Sequence, residues 1–216
     1  MKRLLFLGLL LVLAVLGLAL TRYTVLGREA RFVTGGALVD MGYGLQDGVE
    51  SFDFAATHDI TPEQVWCELQ EQNRLSASMR LRFPRTPRHP LVALVVCMDA
   101  RIDTNELVGD TRHYYYVIRT AGSVMSEREQ EMLELAVRNG VKVIVLTTHS
   151  DCAAEKTAAD PAARQEFQAL AGAVDERERR VEEFLLRPRI ATAVAEGRLM
   201  VRRAGIETLT DRLEDL

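Results

Sequence analysis

The chain has 216 residues, 48% of them hydrophobic and 6% aromatic, with a formal charge of −4. Setting aside the leading segment with Lys2 and Arg3 takes the charge to −6 (−4 minus 2). So acidic a domain is poorly suited to holding phosphate backbones, which argues against nucleic acid as a partner. Three cysteines, Cys67, Cys97 and Cys152, do not make a disulfide framework. They read as two metal ligands and one core residue.

Met1-Lys2-Arg3 is a short basic start, and Leu4 to Leu20 is seventeen residues without a charge. That length is the short end of a membrane-spanning helix. It also fits a signal peptide, with Gly17-Leu18-Ala19 as a small-x-small cleavage site. Residues 1–20 therefore read as a signal anchor or signal peptide forming an N-terminal apolar helix. The protein is expected to be membrane-anchored or exported, with its domain on the periplasmic or extracellular face. Residues 21–60, with Gly35, Gly36, Gly42, Gly44 and Gly48 and little periodicity, read as a linker or arm. The rest, 61–216, suits one domain.

Thr61-Pro62-Glu63-Gln64 carries a helix-starting capping box with proline at the first helical position. The helix should run to about Met79, with Val65, Leu69 and Leu75 facing inward and Cys67 buried as a small hydrophobe. Pro84, Pro87 and Pro90 force an extended connection, and Arg80, Arg82, Arg85 and Arg88 form a solvated face. Leu91 to Val96 is a short, wholly apolar run of the kind that forms a central parallel strand. A helical turn over Asp103 to Val108 and a strand over Tyr114 to Ile118 follow. After the loop Arg119 to Ser123, a capping box at Ser126 opens a helix through Arg138, with Met132, Leu135 and Ala136 as its apolar stripe. Asn139-Gly140 closes it.

Val141 to Thr147 reads as the next strand, and Asp160-Pro161 starts a long helix reaching about Leu186. Its charged stretch from Asp175 to Glu183 reads as a solvated surface, where Glu176 and Arg180 attract and Glu178 and Glu182 repel. A short helix from Pro188 ends at Gly197. Leu199 to Val201 forms a strand, and Ile206 to Leu216 adds a weak edge strand. Alternating strands and helices predict an α/β fold with a mainly parallel sheet of about four to five strands flanked by helices.

Sites in parallel sheets form at the carboxyl ends of strands. Cys97 follows the first strand, and His149 follows the third with Cys152 three residues later. In a helical turn, residues three apart share a face. Two thiolates and an imidazole suit tetrahedral Zn²⁺ and leave a fourth position. Asp99 either takes that position and closes the site, or is held aside by Arg101 so that water binds there. In the second case Asp99 accepts a hydrogen bond from hydroxide on the zinc, whose water has its pKa lowered from 15.7 to about 7 in favourable sites.

Cys97-Met98-Asp99-Ala100-Arg101 and His149-Ser150-Asp151-Cys152 resemble the two signatures of the β-class carbonic anhydrases. The resemblance extends to Val117-Ile118-Arg119-Thr120-Ala121-Gly122 and the helix Ser126 to Arg138, and covers roughly residues 61–205. It implies zinc ligands Cys97, His149 and Cys152, an Asp99–Arg101 catalytic dyad, and reversible hydration of CO₂ to bicarbonate and a proton by zinc-bound hydroxide. It also implies a homodimer or higher homo-oligomer. Three positions depart from the family pattern. Thr120 and Ser123 stand where asparagine is usual or frequent, and Ala153 where glycine usually follows the second cysteine. If that backbone needs positive φ, alanine costs about 1–2 kcal/mol. His58 and His113 read as surface or capping residues before proton shuttles.

Three readings compete with CO₂ hydration. One is a non-catalytic, zinc-stabilised, membrane-associated binding or scaffold protein. Another is a hydrolase of a CO₂ analogue such as carbonyl sulfide or carbon disulfide. The last is a redox role for Cys97 and Cys152 in an exported domain, where bound zinc would protect both thiolates.

Overall fold

A computed structural model describes residues 17, 24–49, 60–84, 89–109 and 115–216. The chain forms two compact units, Met1–Pro84 and Arg85–Leu216. The apolar run Leu4 to Leu20, apart from Gly17, lies outside the described residues, as do His58, His113, Arg85 and Arg88. Among the described residues no helix is long and apolar enough to cross a membrane.

In the first unit the expected arm contains a 23-residue helix, α1 (Val25–Asp47). Its start is set by Thr24, whose hydroxyl accepts the Gly27 N–H at 3.1 Å. The glycines weaken a helix by about 1 kcal/mol each but do not stop it. The second helix, α2 (Pro62–Arg82), opens at Thr61 with the anticipated capping box. Its expected inner face is not inner: Val65, Leu69 and Leu75 are exposed. Cys67 is exposed as well, not buried, because the only residue that α2 buries is Glu68.

The second unit is a five-stranded sheet of order β2-β1-β3-β4-β5. The strands are β1 (Val92–Cys97), β2 (Tyr116–Thr120), β3 (Val143–His149), β4 (Met200–Glu207) and β5 (Arg212–Asp215). The first four run parallel, and β5 adds to β4 antiparallel as the edge. Central β1 is covered on both faces, which its unbroken apolar sequence requires. Ala93 and Val95 join one core cluster with Ile144, Leu146, Val181 and Phe184. Leu94, Val96 and Cys97 join the other with Ile102, Cys152 and Ile206.

After the short turn α3 (Thr104–Leu107) and the helix α4 (Glu127–Arg138), five helices lie between β3 and β4 in chain order. They are α5 (Ala153–Ala159), α6 (Pro161–Glu166), α7 (Gln168–Asp175), α8 (Arg177–Leu186) and α9 (Pro188–Ala195). The expected single helix from Asp160 to Leu186 is thus three segments, α6 to α8. The Phe167 N–H donates to Ala163 O at 2.8 Å to close α6, and the Arg180 N–H donates to Glu176 O at 3.0 Å in the first turn of α8. Leu170 and Val174 pack on one core cluster and Val181 and Phe184 belong to the other. A straight helix would not serve both. On α4 the buried residues are Gln130, Leu133 and Ala136, whereas Met132 and Leu135 of the expected stripe are exposed. Leu133 and Ala136 join the core cluster of β1 and β3, and the Gln130 side chain donates to the Arg180 carbonyl at 3.4 Å. The strand β4 extends well beyond Val201, since Arg202 and Arg203 sit in the parallel ladder with β3 while their charged ends stay outside.

Candidate metal centre

The order of strands decides the site. With β1 beside β3, their carboxyl ends are neighbours, and Cys97 and His149 are the last residues of the two strands. Cys152 arrives by a tighter route than a helical turn. Ser150 and Asp151 turn the chain, Asp151 takes a left-handed φ of 64°, and Cys152 becomes the N-cap of α5. Cys97, His149 and Cys152 are 3%, 6% and 2% exposed. Their donor atoms all lie within 4.8 Å of one another, and the two sulfurs are 3.9 Å apart.

These residues fit zinc. Two thiolates each about 2.3 Å from a tetrahedral ion stand about 3.8 Å apart. His149 Nε2 is buried without a hydrogen-bond partner, as a metal-donating nitrogen must be before the ion arrives. Burial pushes the Cys152 thiol up, and the neighbouring Cys97 adds to the shift. Such a buried thiol is costly to ionise without a cation, and a divalent ion reverses that balance.

Asp99 is not among the clustered donors. Arg101 grips it: Nε donates to Oδ1 at 3.0 Å, Nη2 to Oδ2 at 2.8 Å, and the Arg101 backbone N–H to Oδ1 at 3.0 Å. The Arg101 guanidinium, and next its backbone N–H, hold the Asp99 carboxyl well below the usual carboxylate range. The same guanidinium continues to the second ligand turn, with Nη1 on Asp151 Oδ2 and Nη2 on the Asp151 carbonyl, each at 3.2 Å. Lys156 closes the chain with an ion pair to Asp151. Lys156 first and Arg101 second keep the Asp151 carboxyl low.

Three further groups shape the site, and none was singled out by its own sequence pattern. Arg119 donates to the carbonyls of Cys97 at 3.3 Å, Asp99 at 2.7 Å and Ile102 at 3.0 Å, fixing the loop after β1. Arg177, in the stretch expected to be solvated, donates to the Gly122 carbonyl at 3.2 Å and pairs with Glu155. Thr208, just beyond β4, sits against His149. Only the strand order and the bend between α7 and α8 bring these residues here.

The departures from the family pattern also resolve. Thr120 lies beside Cys97 in the ladder, and the hydroxyls of Thr120 and Ser123 are both buried without partners. Gly122 and Ser123 are consecutive left-handed residues, with φ of 63° and 55°. Ala153 is the first residue of α5 and is not among the residues of positive φ. The left-handed position of this turn is Asp151, so alanine at 153 carries no strain.

The sequence model of the carbonic anhydrase family matches residues 92–210. β-Carbonic anhydrase 1 of Mycobacterium tuberculosis and that of Mycobacterium bovis are each 37% identical over 62 residues, 28% of this chain. The match spans 38% of the length of those relatives. Among solved structures, a tetrameric β-carbonic anhydrase of Sordaria macrospora superposes with a TM-score of 0.53 at 20% identity, covering 71% of this chain and 97% of that one. A β-carbonic anhydrase of Trichomonas vaginalis gives 0.52 at 17% identity, over 72% and 97%. At those identities the likeness is one of fold; the family model's match over more than half of the chain carries the assignment, the buried Cys97–His149–Cys152 cluster agrees with it, and the chain belongs to the β-class carbonic anhydrase family.

Proposed function

We propose that this protein catalyses the reversible hydration of CO₂ to bicarbonate and a proton. The observation that carries the reading is the three buried donors of Cys97, His149 and Cys152 at one point, with Asp99 held beside them by Arg101. Those three side chains would hold the zinc, and Asp99 and Arg101 would form the catalytic dyad. Zinc supplies Lewis acidity that brings the pKa of a bound water toward neutrality.

The chain's own contribution is orientation. Arg101 places two hydrogen bonds on Asp99 Oδ1 and one on Oδ2. A carboxylate offers about four lone-pair sites, so Oδ2 keeps one free to accept from the reacting water. Because Arg101 keeps Asp99 ionised, the carboxylate can only accept there. This fixes which water lone pair faces the CO₂ carbon. As the new C–O bond forms, one π pair of CO₂ moves onto oxygen and the water's proton leaves to solvent. A stopped-flow pH-indicator assay on protein carrying one zinc per chain tests the reading. Hydration well above buffer is expected, with a loss of about 10²-fold or more in Asp99→Asn. Zinc-loaded protein with no rate above buffer at neutral and mildly alkaline pH would sink it.

The assembly is read as a homodimer or larger homo-oligomer, supported by the tetrameric relative from Sordaria macrospora. Light scattering on the full chain checks it, and a monomer is the contrary result. The apolar run Leu4 to Leu20 supports a membrane-anchored or exported form. Fractionation with N-terminal sequencing checks that, and an uncleaved chain in the soluble cytoplasmic fraction is the contrary result.

A further inference from the structure

Thr208 is 7% exposed and follows directly on β4. The β3–β4 ladder sets Ile206 opposite His149, and the Ser150 N–H donates to the Ile206 carbonyl at 3.0 Å. This register carries the Thr208 hydroxyl behind the imidazole, with Oγ1 at 3.2 Å from His149 Nδ1. The same oxygen lies 2.5 Å from the Ser150 carbonyl and 3.0 Å from Ser150 Oγ. The Thr208 backbone N–H donates to Ser150 Oγ at 3.1 Å.

The protons can be assigned from these contacts. A hydroxyl has one hydrogen to give and two lone pairs to accept with. The Ser150 carbonyl can only accept, so it takes the Thr208 hydrogen. The two remaining partners must then donate to Thr208: Ser150 through its hydroxyl and His149 through Nδ1–H. With its proton on Nδ1, the neutral ring has a bare lone pair at Nε2, the nitrogen that is buried without a partner. The opposite tautomer would aim an N–H into that same space, where no protein group accepts it.

We propose that Thr208 is a positioning residue that fixes the tautomer and ring orientation of His149, so that Nε2 is the nitrogen presented to the metal. The proposal rests on the reading of Cys97, His149 and Cys152 as zinc ligands. It assigns to the end of β4 a role that neither ligand signature contains. Groups that hold the far nitrogen of a ligating histidine typically change metal affinity by roughly 10–100-fold when removed.

Nitrogen-15 NMR of the full-length chain, metal-free and zinc-loaded, tests the assignment. The expected result is a protonated Nδ1 in both states, with Nε2 shifted by the metal. A proton on Nε2 in the metal-free chain, or metal on Nδ1 in the loaded chain, overturns the proposal. In chelator competition, Thr208→Val should raise the zinc dissociation constant roughly 10–100-fold, and Thr208→Ser should return it to within about threefold of wild type. A folded Thr208→Val that holds zinc as tightly as wild type also overturns it. If that variant does not fold, the wild-type NMR result decides alone. A chain with protonated Nδ1 that binds no zinc would overturn the metal reading, and with it the role given to Thr208.

Discussion

Arg101 joins the two ligand-bearing turns, and its geometry makes Asp151 the residue to test. Asp151→Asn keeps a side chain that tolerates the left-handed backbone but removes the charge facing Arg101 and Lys156. Its ion pairs lie at the surface, where such pairs are weak, so CO₂ hydration should fall by no more than about fivefold while zinc stoichiometry stays at one. Loss of zinc from that variant would show that Asp151 holds the ligand turn itself. Ser123 gives a test of opposite sign. It has a left-handed φ of 55° and a buried hydroxyl with no partner. Glycine removes a strain of about 1–2 kcal/mol and loses about 0.5–1 kcal/mol in unfolded-chain entropy. Ser123→Gly should therefore raise stability by up to about 1.5 kcal/mol in chemical denaturation, and a lower stability would contradict the strain argument.

Among the elements, α4 was the most legible. Its start was written in Ser126 and Glu129, and the Ser126 N–H donates to Glu129 Oε2 at 2.7 Å. Its end was written in Gly140, where φ is 101° and an added Cβ would stand 2.6 Å from His89 Nε2. Glu129→Ala should cost about 0.3–1.5 kcal/mol at neutral pH. Hydrogen bonds from Ser126 lower the Glu129 carboxyl, so its stabilisation is fully present above the ordinary glutamate value. It is lost as pH falls through the lower value of the folded state. The stability gap between wild type and Glu129→Ala should narrow on acidification across that window, and a gap that widens would reverse the sign. Other elements leave fainter marks in the sequence. The sequence of α2 is that of a capped helix, but a cap says nothing about what covers its apolar residues, and Val65 and Leu69 remain exposed. The bends at Phe167 and Glu176 leave no proline or glycine mark, because two core clusters impose them.

At the scale of the whole molecule, the metal centre ties the end of β1 to the turn after β3. Removing zinc with a chelator should lower the melting temperature by several degrees and leave two buried thiols 3.9 Å apart. Disulfide formation needs only a closing to about 2.05 Å. Metal-free protein under mild oxidant should thus yield a Cys97–Cys152 disulfide, seen by peptide mass mapping, while zinc-loaded protein resists. Equal oxidation of both forms would count against metal ligation by the two sulfurs.

Three things were legible in the chain alone: Cys97 and His149 at strand ends with Cys152 close behind, the Asp99–Arg101 pairing, and the helix caps. All of these rest on local chemistry: short spacings, apolar runs and capping residues. The tertiary structure decided the rest. It made β1 and β3 neighbours, put the left-handed turn at Asp151 and not at Ala153, drew Arg119 and Arg177 onto the loops, and set Thr208 behind His149. Each of those depends on hydrogen bonds between residues far apart in the chain, and no local pattern can encode which strand lies beside which.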